Sequence, residues 1–499
     1  MYFVFRADAS NRIGTGHIMR CLVLADALKK KGHQTSFACQ CLVGDLIQYI
    51  EKRGHGVIRL DSVSNMFVKN AHCGYESWLQ RSQIEDAEDF LRHVKAADVV
   101  VTDHYAIGLE WHRQIRESLG CKIVAIDDLV REHEADIVID QTLGREAKEY
   151  CGEATVLAGS QYSLLAPIYA KAREQAFDIS SLNTPIKILI SMGGVDEPNV
   201  TQKVLNVLVN ESSVDITVLL SPRAPNYNTV SAFCLQNDKV KHIDFSENMA
   251  DLMLSHDIAI GAPGTTSWER ACLGIPSVLI SLAENQKTNC EKLVQQGAVE
   301  AVSIDDIESK LLLAYRKVKQ EWLNYRISNL KICDGLGLNR IMNVLEELTN
   351  ISHSSIRLRF ADESDIAMVY EWQCLPETRR YALNTSIPTW NEHITWMRKK
   401  LNSHQDYFYI ITHIDTNESL GVVRLDRLSA YNYLISIFID PEHYGKGIGS
   451  CTLKLIDKTH RNISIHARVL KNNLASQSLF EKSGYERCSE ETFLRKILD

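Results

Sequence analysis

The feature that most restricts this chain is a series of short, β-rich apolar runs, each closed by polar or glycine residues and separated by amphipathic stretches. In the first third these runs are MYFVF, QTSFAC, DVVVTD, CKIVAID and ADIVIDQ, with helical patterns such as HIMRCLVLADALKKKG between them. Strands buried on both faces read this way, and they pair in parallel through helical crossovers. A second series begins near Ile186: KILISMGG, DITVLLS, KHIDF, DIAIGAPG and PSVLISL. Two consecutive doubly wound, Rossmann-like α/β domains are expected, residues 1–170 and 171–350, joined within Ala166–Pro185. A ligand then belongs in the crevice at the carboxyl ends of the strands, between the two domains.

Around residues 337–355 the pattern changes. A helix, LNRIMNVLEELTN, runs into the polar ISHSS, and a new β-rich series opens at IRLRFAD, so a third domain is expected over residues 355–499. Three domains also suit 499 residues, because single cores stop growing at about 250–300 residues. A net charge of −8, without a basic run interleaved with aromatics, argues against nucleic acid as a partner. No apolar stretch reaches the ~18–20 residues of a membrane helix, and the opening strand is unlike a secretory leader, so a cytoplasmic location is expected. Thirteen cysteines without a CxxC pair or zinc-ligand spacing read as reduced thiols, and no metal is implied.

The first strand runs into Arg12-Ile13-Gly14-Thr15-Gly16-His17 and then a helix. Gly14 and Gly16 allow close approach of a ligand to the backbone, and a helix N-terminus favours an anion. Met19 stands where a dinucleotide fingerprint needs its third glycine, so that reading is poor. At the start of a helix, His17 would feel the positive end of the dipole, which favours a neutral imidazole fit to act as a base. The alternative is a capping or core histidine.

The segment FRADASNRIGTGHIMRCLVLADAL resembles the opening of the pseudaminic-acid-pathway UDP-sugar hydrolases. These are inverting enzymes of the glycosyltransferase B-type fold, which release UDP from UDP-2,4-diacetamido-2,4,6-trideoxy-β-L-altropyranose. The resemblance implies that His17 activates the attacking water. Asp103-His104-Tyr105 and Asn285-Gln286 also match, which implies Tyr105 and Asn285 as contacts to the sugar or the water. Without the family they read as a rim tyrosine and a turn asparagine.

In the second series, Ser191-Met192-Gly193-Gly194-Val195-Asp196 and Gly261-Ala262-Pro263-Gly264-Thr265-Thr266 each follow a strand and precede a helix. Gly193, Gly194, Gly264 and Thr265 are the expected diphosphate contacts, through backbone amides at helix ends. In B-type sugar-nucleotide enzymes an acid near the second loop binds the ribose, and Glu269 is the match. The alternative reading is tight turns with a surface glutamate.

From IRLRFADESD onward the chain resembles the GNAT superfamily of N-acetyltransferases. Pro441-Glu442-His443-Tyr444-Gly445-Lys446-Gly447-Ile448-Gly449 matches its pyrophosphate loop. This implies acetyl-CoA as co-substrate, held through Gly445, Gly447 and Gly449, although Tyr444 replaces the usual Gln or Arg. Asn473 stands at the superfamily's late asparagine, and Phe480 stands where many members carry a proton-donating tyrosine. The segment VYEWQCLPETRRYALNTSIPTWNEHITWMRKK resembles the pseudaminic-acid-pathway acetyltransferases. That places Glu371, Trp372, Arg379, Tyr381 and His393 near the acceptor, or alternatively in a solvated helix with packed tryptophans. The combined expectation is a UDP-sugar hydrolase fused to an N-acetyltransferase. A glycosyltransferase of the same fold, or a degenerate acetyltransferase-like module, are the alternatives.

Overall fold

The computed structural model describes residues 1–61, 74–282, 286–349 and 355–498. The chain divides into two compact units, Met1–Leu338 and Asn339–Asp499.

The first unit holds two parallel sheets. Seven strands build the first: β1 Tyr2–Ala7, β2 Gln34–Gln40, β3 Gly56–Leu60, β4 Val99–Asp103, β5 Lys122–Ile126, β6 Ile137–Asp140 and β7 Thr155–Ala158. Their order is β3-β2-β1-β4-β5-β6-β7, with every pairing parallel. The second sheet comprises β8 Ile186–Ser191, β9 Val214–Leu219, β10 Val240–Ile243, β11 Ile258–Gly261, β12 Ser277–Ile280 and β13 Val299–Val302, in the order β10-β9-β8-β11-β12-β13. Both are the expected doubly wound sheets. Their central strands are apolar on both faces because helices cover both; Val99, Val100 and Val101 are each 0% exposed.

This order fixes where a ligand goes. The chain leaves β1 toward one side and β4 toward the other, so the loops after these two strands diverge and open a crevice at their carboxyl ends. The same switch falls between β8 and β11 in the second sheet. The helix Pro167–Ala176 follows the first sheet, yet its Tyr169 and Ala172 pack in one core with Ala259, Trp268 and Leu273 of the second.

The second unit is built on a mixed sheet: β14 Ile356–Phe360, β15 Tyr407–His413, β16 Ser419–Ser429, β17 Asn432–Ile439, β18 Ser464–Arg468, β19 Glu486–Arg487 and β20 Thr492–Arg495, ordered β14-β15-β16-β17-β18-β20-β19. All neighbours are antiparallel except β17 and β18. That parallel pair holds only from Asn432↔Ser464 to Ile435↔Ala467, while β17 continues to Ile439. Beyond Ile435 its backbone is no longer bonded to β18, and the Gly445–Gly449 loop follows after the short turn Pro441–His443. Among the described residues, no helix is long and apolar enough to cross a membrane.

Candidate active sites

The loop after β1 is shaped by its own backbone. Ser10 Oγ accepts from the amides of Arg12 and Ile13, and Gly14 donates to Ser10 O at 2.8 Å. Gly14 turns the chain at φ +81°, a region that strains other residues. The helix Gly16–Lys30 then begins with no side chain capping it.

His17 lies in the first turn, 8% exposed, and its Nδ1 is 2.6 Å from Asp103 Oδ1 at the end of β4. A carboxylate only accepts, so Nδ1 carries the proton and the Nε2 lone pair is left for another donor. No hydrogen bond engages Nε2 among the described residues. Besides the helix end at which it stands, the ring is thus in direct contact with a buried carboxylate. Three residues along the same helix face, Arg20 clamps Asp103 with Nε to Oδ2 at 2.6 Å and Nη2 to Oδ1 at 2.7 Å. Its Nη1 reaches Asp128 at 2.6 Å. Burial alone would raise the Asp103 carboxyl, but Arg20 and then His17 outweigh it and hold it well below the usual range. Asp103 thus stays a carboxylate, able to orient the ring and to stabilise an imidazolium.

Tyr105 lies beside this pair. Its ring meets His17 edge-on at 4.7 Å, and its hydroxyl donates to Asp128 Oδ2 at 2.9 Å. Next to it, His104 is a structural residue. Its Nδ1 accepts from Ala106 N, and burial followed by the charge of Arg6 keeps it well below the ordinary histidine range.

The loops of the second sheet meet this one. A Cβ on Gly16 would lie 3.8 Å from Thr265 Oγ1, and one on Gly194 would lie 3.4 Å from Thr15 Oγ1. Thr15 and Gly16 of one loop and Gly194 and Thr265 of the other sheet's loops therefore line one crevice. The two glycine loops differ within it. Helix Thr266–Leu273 starts with no side-chain cap, and exposed Gly264 has open space where a Cβ would be. At helix Val200–Leu208 the first amides are taken: Asp196 accepts from Val200 N at 2.8 Å and Thr201 N at 2.9 Å. The end of this helix is therefore not open to a diphosphate, since a buried carboxylate already occupies it, while Gly193 and Gly194 lie ahead of it, with open space where a Cβ on Gly193 would be. Glu269 is partly buried and accepts from the Tyr169 hydroxyl; burial raises its carboxyl. Asn285 lies outside the described residues.

In the second unit, Gly445 (φ +76°) and Gly447 (φ +78°) adopt left-handed backbone, with open space where a Cβ would be. The helix Ile448–Thr459 that follows has no side-chain cap, leaving first-turn amides for an anion. Gly449 has another use: a Cβ there would meet Leu479 Cδ2 at 3.1 Å, so it allows two helices to pack closely. The Asn473 side chain is a helix cap, accepting from Ser476 N at 3.1 Å. Phe480 is 3% exposed and packs against Tyr485 and Phe493, so the usual acid position holds a core ring.

Two of the expected acceptor residues are structural. Arg379 spends its guanidinium on Gln373 O, Gln373 Oε1 and Asn384 O. His393, 1% exposed, is bonded through Nε2 to Ile366 O. Trp372 is also buried, its Nε1 donating to Asp440 at 3.1 Å, whereas Glu371 is exposed and Tyr381 half-buried.

Sequence reasoning missed four residues around the His17–Tyr105 pair: Arg20 and Trp78 beside His17, and Asp128 and Tyr75 beside Tyr105. Arg20 was within reach, since positions i and i+3 share a helix face. The others come from distant segments without a periodic signal.

Residues 187–329 match the glycosyltransferase family 28 C-terminal domain, and residues 355–486 match the acetyltransferase (GNAT) domain. An uncharacterized protein of Methanocaldococcus jannaschii is 26% identical over 505 residues, covering 96% of each chain. The UDP-2,4-diacetamido-2,4,6-trideoxy-beta-L-altropyranose hydrolase of Campylobacter jejuni is 27% identical over 303 residues, 60% of this chain and 97% of its own. The spore coat polysaccharide biosynthesis protein SpsG of Bacillus subtilis is 23% identical over 358 residues, 68% of this chain and 97% of its own. The chain is a fusion in which a homologue of a UDP-sugar hydrolase, carrying a glycosyltransferase family 28 C-terminal domain, precedes an acetyltransferase (GNAT) domain.

Proposed function

We propose that the first unit hydrolyses UDP-2,4-diacetamido-2,4,6-trideoxy-β-L-altropyranose to UDP and free sugar, and that residues 355–499 acetylate the 4-amino group of its UDP-linked precursor. The observation that carries the hydrolase reading is the His17–Asp103 pair, with Nε2 unengaged among the described residues, at a loop that meets Thr265. Nε2 takes one proton from a water molecule as its oxygen attacks the anomeric carbon, and the bond from that carbon to the diphosphate oxygen breaks. Asp103 stabilises the imidazolium. The departing charge is met by the open helix end at Gly264–Thr266. Attack from the face opposite UDP inverts the anomeric centre.

In the acetyltransferase domain, acetyl-CoA supplies the acyl group, and Gly445, Gly447 and the first-turn amides of the following helix hold its pyrophosphate. Its thiolate is a stable enough leaving group for amide formation without the acid that Phe480 lacks.

The glycosyltransferase alternative differs in admitting an alcohol where the hydrolase admits water, and the family 28 match leaves room for it. The test is UDP release from the purified chain without any acceptor, with proton NMR of the first-formed sugar. Release with an inverted anomer supports the hydrolase; release only on addition of an alcohol acceptor supports the transferase.

A further inference from the structure

The loop of His17 faces an aromatic surface built from Tyr75, Trp78 and Tyr105. Helix Glu76–Leu79 presents Trp78, whose ring lies 5.9 Å from His17 at 77° and stacks on Tyr105 at 5.5 Å and 27°. Tyr75 closes the group edge-on, 5.0 Å from both Trp78 and Tyr105. Ser77 and Leu79 are buried beneath, while Tyr75 and Trp78 stay partly exposed. The His17 loop itself holds this helix in place: Arg12 Nη2 donates to Ser77 Oγ at 2.6 Å, and Ser77 Oγ donates to Gly74 O at 2.7 Å. Trp78 Nε1–H has no acceptor among the described residues.

A half-exposed indole whose N–H meets no acceptor among the described residues, within 6 Å of the group assigned to activate water, has a defined chemical preference. Its face is favourable for C–H and methyl groups and leaves a hydroxyl without a partner, while its N–H donates to an amide carbonyl. We infer that Trp78, backed by Tyr105 and Tyr75, is a specificity-determining residue that favours sugars with a deoxy, N-acylated face over those carrying a hydroxyl there. This rests on the hydrolase reading and adds to it the residue that selects the sugar. An apolar surface rejects an added hydroxyl by a modest factor, on the order of 10–100-fold in kcat/KM.

The test compares wild-type chain, Trp78→Leu and Trp78→Phe on UDP-2,4-diacetamido-2,4,6-trideoxy-β-L-altropyranose and on its 6-hydroxy counterpart, following UDP release. The wild type should prefer the deoxy sugar by about 10–100-fold. Trp78→Leu should bring the two substrates within about threefold by losing activity on the deoxy sugar, and Trp78→Phe should fall between. Equal loss on both substrates would mark a merely structural role, and an unchanged ratio would overturn the inference. A weakened inhibition by UDP alone, with the ratio intact, would place the ring on the nucleotide and also overturn it. The same ratio is read as dissociation constants by calorimetry in a His17→Ala background. Selectivity that vanishes there with Trp78→Leu supports the platform even if the wild type releases no UDP, which would sink the hydrolase reading alone.

Discussion

Replacing Asp103 with Asn tests how His17 is made to work. Asp103 receives His17 Nδ1 at 2.6 Å, Arg20 through two nitrogens at 2.6 and 2.7 Å, and the Cys21 thiol at 3.6 Å. The amide keeps the shape and loses the charge. A carboxylate and an imidazolium about 4 Å apart attract by about 4 kcal/mol at the effective dielectric of such a site. A loss of about 3–4 kcal/mol in the transition state lowers kcat by two to three orders of magnitude. Folding also suffers, because Arg20 loses its better partner, but Asp128 still holds Nη1. The cost should therefore stay near the lower end of the ~3–5 kcal/mol for a broken buried pair, within the stability of an ordinary domain. The assay is UDP release beside a thermal melt and acetyl-CoA-dependent thiol release on the same preparation. Folded Asp103→Asn with full acetyl transfer and UDP release within tenfold of wild type would refute the role given to Asp103.

Asp196→Ala should lower stability by about 1–2 kcal/mol through loss of a helix cap while leaving the affinity for UDP within about threefold, read by denaturation and calorimetry. Gly447→Ala places a methyl in the open space at the cofactor loop and strains a left-handed residue, so the KM for acetyl-CoA should rise at least about tenfold while UDP release stays unchanged. Acid should weaken the first unit. Burial would raise the Asp86 carboxyl, but Arg6 foremost pulls it down to about 2, against about 3.9 unfolded. With the folded value the lower one, protonation favours the unfolded chain. Its contribution of about 2–3 kcal/mol is complete above pH ~4 and lost as pH falls toward 2. Asp8, raised by its burial, opposes this slope. Denaturant titrations across that window should show a shallower pH dependence for Asp86→Asn than for wild type.

The fold was legible wherever burial made a strand apolar on both faces, as at Val99–Asp103 and Ile258–Gly261. Three of the four edge strands of the parallel sheets escaped: Gly56–Leu60 and Val299–Val302 each carry a charged residue inside, and Thr155–Ala158 offers only three apolar residues in a row. The glycine loops were also visible, because a turn that needs left-handed backbone leaves a glycine behind. Which loop stays open was not visible from glycines alone. Asp196 decides that at one of them, from a position four residues before the helix Val200–Leu208, whereas the ordinary capping position is held by Asn199, whose side chain does not cap. Asp103 was quoted for its motif, yet its partnership with His17 spans 86 residues and exists only because β1 and β4 are neighbours. Trp78 rides on a four-residue helix, too short for any periodicity. The resemblance of its loop to the hydrolases pointed to His17, and the topology brought Asp103 and Trp78 to it.

The account claims two separate sites in one chain, and a single time course tests it. Wild type and His17→Ala are each incubated with UDP-4-amino-4,6-dideoxy-AltNAc and acetyl-CoA, and masses are followed. Wild type should form the acetylated UDP-sugar first and the free diacetamido sugar with UDP afterwards. His17→Ala should accumulate the acetylated UDP-sugar at the wild-type rate and release no UDP. Loss of both steps in the variant, or undiminished UDP release from it, would contradict the account.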